Sequence, residues 1–377
     1  MKKPVLFRVT NNLNLGGIQR RLRAVLPRLL DDFEVHVATY REKGVLFDEL
    51  AGLGVRTTFV EVRKKWNPVG LNVLARTFRE QGADIVHTHS LGGNVTGILA
   101  AAMARVPVRI GNVHRRDRHW YGKNRLHRWK QVFEEKWIHR FFTDRILFVS
   151  QESLDFFQKK TGLPDNKLML LHNGLDFSAM RPARSRHEVR AEFNIPDHKE
   201  IVGFVGRFES GKGLKFFLDA AVDIAARSGD YFFLVVGGGG GVDTAELQRE
   251  YEQRGLKGSL AFAGLRQDVY DFFGAFECFF FPSEPHWEGM PGVVLEAASF
   301  GLPILSRETD PVREITKQYP RIHIMRDSDD PLRALQAAQS LPVASQKTFR
   351  AEYSLEAMVE RTKQLYFDLL KEKRDKK

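Results

Sequence analysis

The stretch PHWEGMPGVVLEAASFGLP, residues 285–303, holds two glutamates, Glu288 and Glu296, with seven residues between them that include two glycines and a proline. Paired carboxylates admit several chemistries. They serve as acid and nucleophile across a sugar bond when they lie roughly 5 to 10 Å apart, or simply as partners for a helix dipole. A third reading follows from the proline. With Pro291 as the first helical residue its missing N–H costs nothing, and the N–H groups of Gly292, Val293 and Val294 stay free to meet an anion. Glu288, followed by Gly289 and Met290, then lies in the loop ahead of the helix, and Glu296 lies inside it. Carboxylates on both sides of an anion site suit a ligand with a hydroxylated ring at each end and a diphosphate between.

Three more loops carry charge beside glycine. GFVGRFESGKG, residues 203–213, places Arg207 and Lys212 on one turn with Gly206. A guanidinium and an ammonium there can clamp a diphosphate and neutralise it as it departs, although a solvated loop would look the same. TNNLNLGGIQRR, residues 10–21, puts Gly16 and Gly17 at a helix start, either as a tight turn or as a close backbone approach to an anion. No G-x-G-x-x-G pattern occurs, which argues against a dinucleotide site, and a Walker A lysine motif is also absent. In VRIGNVHRRDRHWYGKNRLHRWK, residues 108–130, His114 falls just past a strand. Arg115, Arg116, Arg118, Trp120, Lys123 and Arg125 follow it, and Arg20 adds to the same basic character. Cations interleaved with aromatic rings suit acidic lipid headgroups or single-stranded nucleic acid. The plain alternative is a solvated helix whose aromatic face packs on its own domain.

The elements that must position these loops are legible as an alternation. Short β-branched or aromatic runs (PVLFRV, FEVHVAT, DIVHTH, DRILFVS) alternate with segments of helical period, and after residue 200 the alternation restarts with IVGFVG. This reads as βα units wound into two successive parallel-sheet domains, a division that the length of 377 residues also favours. The polar segment between the halves, GLDFSAMRPARSRHEVRAEFNIPDHKE, is the expected linker. The last segment, from about Leu355 to Leu370, has apolar residues at helical spacing. In open parallel sheets ligands bind beyond the carboxyl ends of the strands, which is where all four loops fall.

Charge is unevenly spread. Residues 1–180 hold 30 Lys and Arg against 17 Asp and Glu, whereas residues 181–377 hold 28 against 30. The basic half therefore predicts an anionic partner. The single cysteine, Cys278, excludes an internal disulfide and a cysteine-based metal site and is expected as a core thiol. No apolar run reaches the roughly 20 residues that cross a bilayer, and a cytoplasmic protein, at most peripheral at the inner membrane face, is expected.

Together these features resemble the GT-B glycosyltransferases, specifically the retaining family 4, whose C-terminal domains carry E-x(7)-E, here Glu288 to Glu296. Further landmarks lie in family order: GG at 16–17, VHTH at 86–89, NVH ending at His114, FVS at 148–150, HNGLD at 172–176, GRFESGKG at 206–213, FAGLRQDV at 262–269 and FFPS at 280–283. The resemblance implies two Rossmann-like domains facing a central cleft: residues 1–178, with a C-terminal helix at 355–377 crossing back to them, bind the acceptor, and residues 179–354 bind the donor. It implies transfer of a sugar from a nucleotide-sugar, by family habit a UDP-sugar, to a glycan or lipid-linked acceptor of a cell-surface polysaccharide or lipopolysaccharide.

Carried over by position, Arg207 and Lys212 hold the donor diphosphate with the Gly16-Gly17 backbone and the helix start at Gly292 and Val293. Glu288 binds the transferred sugar, Glu296 the ribose, and His114 the sugar near the reaction centre. Gly264, Leu265 and Arg266 flank the base. No metal or other cofactor is expected, and the acidic triplet DSD at 327–329 reads as a solvated turn. Front-face attack, with the leaving phosphate as base, would retain configuration without a protein nucleophile. Two departures stand out: SRETDPVREI replaces a glycine-rich turn, and VVGGGGG at 235–241 is richer in glycine than the family pattern. The competing readings are a nucleotide-sugar epimerase of the same fold, which the E-x(7)-E spacing disfavours, and a non-catalytic basic module adhering to RNA or membrane. Nucleic acid is the less favoured partner of the basic half.

Overall fold

The structure is a computed structural model that describes residues 2–62, 66–114 and 124–375. It divides into two compact units, residues 1–174 with 355–377, and residues 175–354. In the first, strands β1 (Val5–Thr10), β2 (Glu34–Thr39), β3 (Arg56–Phe59), β4 (Ile85–His89), β5 (Val108–Val113), β6 (Arg145–Phe148) and β7 (Leu168–Leu170) alternate with helices α1 (Gly17–Val25), α2 (Phe47–Gly52), α3 (Pro68–Glu80), α4 (Ser90–Met103), α5 (Arg125–Phe142) and α6 (Gln151–Thr161). The strands form one parallel sheet in the order β3-β2-β1-β4-β5-β6-β7.

The second unit follows the same rule. Helices α7 (Arg186–Glu192), α8 (Leu214–Ala225), α9 (Thr244–Tyr251), α10 (Val269–Ala275), α11 (Gly292–Ser299), α12 (Asp310–Thr316), α13 (Pro331–Gln339) and α14 (Gln346–Tyr353) accompany strands β8 (Glu200–Arg207), β9 (Tyr231–Gly238), β10 (Leu260–Gly264), β11 (Cys278–Phe281), β12 (Ile304–Arg307) and β13 (Ile322–Met325). The sheet order is β10-β9-β8-β11-β12-β13, all parallel. In both sheets the order reverses at the first strand of the unit, β1 or β8. Such a switch point opens a crevice at the strand ends, and the glycine-bearing loops follow these two strands.

Apolar strands such as β1 and β11, buried at every residue, are what a sheet covered on both faces requires. Cys278 is buried in β11 and its thiol is pushed up to about 12 by desolvation, so it is a core thiol. The final helix, α15 (Leu355–Arg374), belongs to the first unit. Its buried stripe of Leu355, Met358, Val359, Leu365, Tyr366 and Leu369 joins the core of β1, β2, α1 and α2. Polar ties hold it along its length: Lys363 to Asp32 at 2.8 Å and Arg145 to Glu372 at 3.0 Å.

The boundary falls at the first residues of the expected linker, but the rest of that segment is folded. The chain passes between units at 174–175, and residues after it fold onto the second unit. Ser185 and Glu188 form a reciprocal capping box that starts α7. The buried Asp271 carboxylate accepts from the backbone N–H groups of Ala183 and Arg184, at 2.6 and 3.2 Å, and from Arg184 Nε at 2.9 Å. The segment is polar because its charges bind partners within it and on α10, not because it is unstructured.

Candidate functional site

In the second unit the loops after β8 and β11 are built against each other. Glu284 N donates to Gly211 O at 3.0 Å, and the Trp287 ring lies against Gly211, where a Cβ would come within 1.8 Å of it. Gly213 begins α8 with φ +73°, and a Cβ there would sit 2.0 Å from Pro282 O, so only glycine fits. Across this contact Lys212 Nζ donates to Glu288 Oε1, with the two side chains 19% and 18% exposed. Two residues assigned separately by sequence, one to phosphate and one to sugar, thus form a half-buried, charge-assisted pair. Trp287, which anchors the arrangement, carries no sequence motif that would have singled it out.

Arg207, at the end of β8, is 72% exposed and paired with Glu209 at 2.8 Å. Beneath it lies the glycine run. Gly237 has φ +143°, and a Cβ on it would lie 1.8 Å from Gly206 O, while Phe208 N donates to Gly238 O at 3.0 Å. The excess of glycine lets β9 and its loop approach the backbone of 206–208 closely.

The start of α11 departs from expectation by one residue. Pro291 is the N-cap, with no side-chain cap and no acidic residue in the first turn, and Gly292 is the first helical residue. Val294 N donates to Pro291 O at 3.1 Å, which takes it out of the predicted trio and leaves the N–H groups of Gly292 and Val293. A Cβ on Gly292 would meet nothing within 4 Å, so open space faces this helix start. Gly289 and Met290 are buried beneath the loop, and Glu296 is half-buried on the second turn of α11.

Gly264 ends β10 with φ +72°, and Leu265 beyond it is 77% exposed. Arg266 is committed elsewhere. Its fork donates to both Asp268 oxygens, at 2.8 and 2.7 Å, and to Glu192 at 2.9 Å, over the Phe272 ring. The sequence could not reveal that these carboxylates converge on it. The acidic triplet forms a turn in which Asp327 pairs with Arg307, and Asp329 Oδ2 accepts from Arg326 N at 2.7 Å.

In the first unit Gly16 caps α1 without a side-chain bond, and the first turn carries no acid. Arg20 is exposed, whereas Arg21 is half-buried near His89 and His114. Among the described residues Arg21 has no carboxylate partner, and desolvation, with Arg8 nearby, brings its guanidinium down to about 10. Arg8, buried in β1, donates from Nε and Nη2 to His89 Nε2 at 3.0 and 2.8 Å, and from Nη1 to Tyr366 Oη at 2.8 Å. His89 Nδ1 meets His114 Nε2 at 2.8 Å, and His87 Nδ1 meets Tyr366 Oη at 2.7 Å. Burial, and then the neighbouring cations, hold His87, His89 and His114 well below the usual histidine range. All three are neutral near pH 7.

Of the remaining predicted patch, Arg115, Arg116, Arg118, Trp120 and Lys123 lie outside the described residues, and Arg125 is exposed at the start of α5. The helix it begins is inverted. Its two acids, Glu134 and Glu135, are buried, with Trp66 Nε1 donating to Glu134 at 3.2 Å. Leu126, Trp129, Phe133, Trp137 and Phe141 are between 39% and 71% exposed. Their spacing of three and four residues makes one outward stripe, flanked by the exposed cations Arg125, Lys130, Lys136 and Arg140. No described helix is long and apolar enough to cross a membrane.

Comparison with known proteins agrees with this architecture. The sequence model described as Glycosyltransferase Family 4 matches residues 15–179, and that described as Glycosyl transferases group 1 matches residues 185–333. An Escherichia coli UDP-Gal:alpha-D-GlcNAc-diphosphoundecaprenol alpha-1,3-galactosyltransferase is 27% identical over 306 residues, which are 77% of this chain and 76% of that protein. A Campylobacter jejuni N,N'-diacetylbacillosaminyl-diphospho-undecaprenol alpha-1,3-N-acetylgalactosaminyltransferase is 26% identical over 239 residues, 62% of this chain and 61% of its own. Among solved structures, Anabaena HepE in complex with UDP superimposes with a TM-score of 0.82 at 15% identity, covering 97% of this chain and all of that one.

Proposed function

The chain belongs to the GT-B glycosyltransferases of the family 4 type, and from that premise we propose that it transfers a sugar, with retention and without a metal, from a UDP-sugar to a lipid-linked acceptor in cell-surface glycan synthesis. The observation that carries the donor half is the docked pair of loops in the second unit. Lys212, held by Glu288, and the open helix start at Gly292 and Val293 together offer a cation and two unspent N–H groups for a diphosphate. Glu288 turns to sugar hydroxyls, Glu296 to the ribose, and the exposed Leu265 beyond Gly264 to the base. Arg207, on the same loop as Lys212, adds a mobile positive charge once it leaves Glu209.

These groups supply the stabilisation that the leaving diphosphate needs, which is the role a divalent ion would otherwise take. Retention follows if the leaving phosphate accepts the proton of the attacking hydroxyl on the same face. The uncapped start of α1 at Gly16-Gly17 gives the first unit an anion-binding helix end of its own. The UDP donor is supported by HepE, crystallised with UDP and with UDP-glucose. The acceptor class is supported by the two relatives named for diphosphoundecaprenol-linked substrates.

A lipid-linked acceptor implies work at the cytoplasmic face of a membrane. The stripe on α5 suits that surface: aromatic rings insert at the headgroup boundary, and the flanking cations meet acidic headgroups. The test is a transfer assay with a panel of UDP-sugars and a polyprenyl-diphosphate-linked sugar, in EDTA, with the anomeric configuration of the product read by NMR. Retained configuration and undiminished rate in EDTA are expected. An inverted product, or a rate abolished by EDTA and restored by magnesium or manganese, would contradict the reading.

A further inference from the structure

Three of the first unit's polar groups determine one another's protons. A guanidinium donates and never accepts, so the two N–H groups that Arg8 directs at His89 Nε2 require a lone pair on that nitrogen. Neutral His89 must then carry its hydrogen on Nδ1, where it faces His114 Nε2 at 2.8 Å. His114 Nε2 accepts this bond, so the hydrogen of neutral His114 lies on Nδ1. That Nδ1 is buried and has no hydrogen-bond partner among the described residues. The direction of the chain is fixed at its source, because Arg8 is itself buried and cannot be deprotonated.

We propose that Arg8 and His89 are positioning residues that lock the tautomer of His114, so that its Nδ1 offers a single hydrogen-bond donor to a substrate oxygen while its Nε2 is closed to proton transfer. The proposal rests on the transferase reading for the identity of the substrate, and on geometry alone for the relay. The backbone supports it. His89 is the last residue of β4, and Ser90 takes a left-handed turn, φ +59°, into α4, with its Oγ donating to His89 O at 2.6 Å. The His89 ring lies near-parallel to His87, with centroids 4.9 Å apart, and is joined edge-on to His114 by the Nδ1···Nε2 bond with 27° between the two planes, and these contacts fix the plane of the ring. Tyr366 of α15 receives the remaining Arg8 fork, which ties the orientation of the guanidinium to the docking of the last helix.

One consequence is chemical. With Nε2 occupied and Nδ1 protonated, His114 has no lone pair with which to act as a general base, so the proton of an attacking hydroxyl goes to another group. A buried N–H without a partner is unfavourable, and an incoming oxygen would relieve that cost.

The experiment has two arms. Ring 15N spectra of histidine-labelled protein, with the His114 signals identified by their loss in His114→Asn, should show a protonated Nδ1 and an unprotonated Nε2, unchanged from pH 6 to 8. A protonated Nε2 would overturn the relay whatever the activity. The kinetic arm uses the side-chain amides as nitrogen mimics: Asn places its N–H near the position of Nδ1, and Gln near that of Nε2. His114→Asn is expected to keep kcat within about tenfold of the parent, and His114→Gln to lose about ten- to a hundredfold beyond that. His89→Asn, which keeps the donor to His114, should outperform His89→Gln, which keeps only the acceptor for Arg8. A purely structural role predicts equal losses for Asn and Gln at each position, and that result would overturn the positioning claim. Absence of turnover by the parent protein with every UDP-sugar would defeat the transferase reading and leave the spectra to decide the relay.

Discussion

The donor loops of the second unit and the histidine cluster of the first are both built at the ends of parallel strands, yet they are held together by different means. The loops are fixed by backbone. Gly213 passes under Pro282 O, Gly237 under Gly206 O, and Trp287 lies on Gly211; charged groups remain half exposed and able to change partners. The histidine cluster is fixed by side chains. Its polar groups are buried or nearly so, come from β1, β4, the residue after β5, and α15, and determine one another's hydrogens. The difference teaches that the first site lets its charged groups change partners but leaves no room for added Cβ atoms, whereas the second leaves its polar groups no change of partner.

The most damaging single change should be Lys212→Ala. Removing the cation aimed at the departing phosphate is expected to lower kcat about 10²- to 10³-fold with little change in melting temperature; a fall below tenfold would take Lys212 out of the machinery. Next in size is a backbone test. Gly213→Ala forces a Cβ against Pro282 O at positive φ and should cost at least about 2 kcal/mol in urea unfolding. Gly292→Ala faces open space and should leave stability unchanged or slightly raised. Equal effects at the two glycines would break the claim that close backbone approach holds the loops.

The histidines give the first unit an acid sensitivity of its own. His139 is held near 3 by burial, and His87, His89 and His114 are likewise depressed. Because their folded values lie below the unfolded ones, they contribute stability above about pH 6.5 that is lost as pH falls. Each fully buried histidine should add a slope of about 1.4 kcal/mol per pH unit below that point. Urea midpoints measured from pH 7 to 5 should fall, and the combined His139→Gln and His87→Gln variant should fall less steeply. The smallest effect on stability is expected for Trp129→Ser, Phe133→Ser and Phe141→Ser on α5, each within about 0.5 kcal/mol because the rings face outward. The triple variant should nevertheless lose flotation with vesicles containing acidic lipid. Undiminished flotation would remove α5 from the membrane reading, and a change from dimer to monomer would reassign the stripe to self-association.

Legibility in the sequence follows the same division. Two parallel sheets were readable because β-branched runs and helical periods alternate throughout, and the donor loops because glycine, proline and charge fall within a few residues of one another. The first-unit network was not: Arg8 and Tyr366 are 358 positions apart, and an arginine inside an apolar strand has no local mark. Arg20 and Arg21 are adjacent, and only the phase of α1 decides that Arg21 turns inward. The polar run after residue 174 read as a linker because charges that pair across space look in sequence like charges that are solvated. On α5 the usual rule is inverted, with acids inside and aromatics outside, so the outward face expected from its cations and rings holds and the plain alternative, aromatics packed on their own domain, does not.

The central claim is that the loops around Glu288 and Glu296 grip two ends of one ligand. Calorimetric titration of UDP, alongside the transfer rate, into Glu288→Ala and Glu296→Ala tests it most directly. Glu288→Ala should bind UDP nearly as the parent does while losing most of its transfer rate, and Glu296→Ala should lose affinity for UDP itself. Equal loss of both properties in both variants would contradict the account.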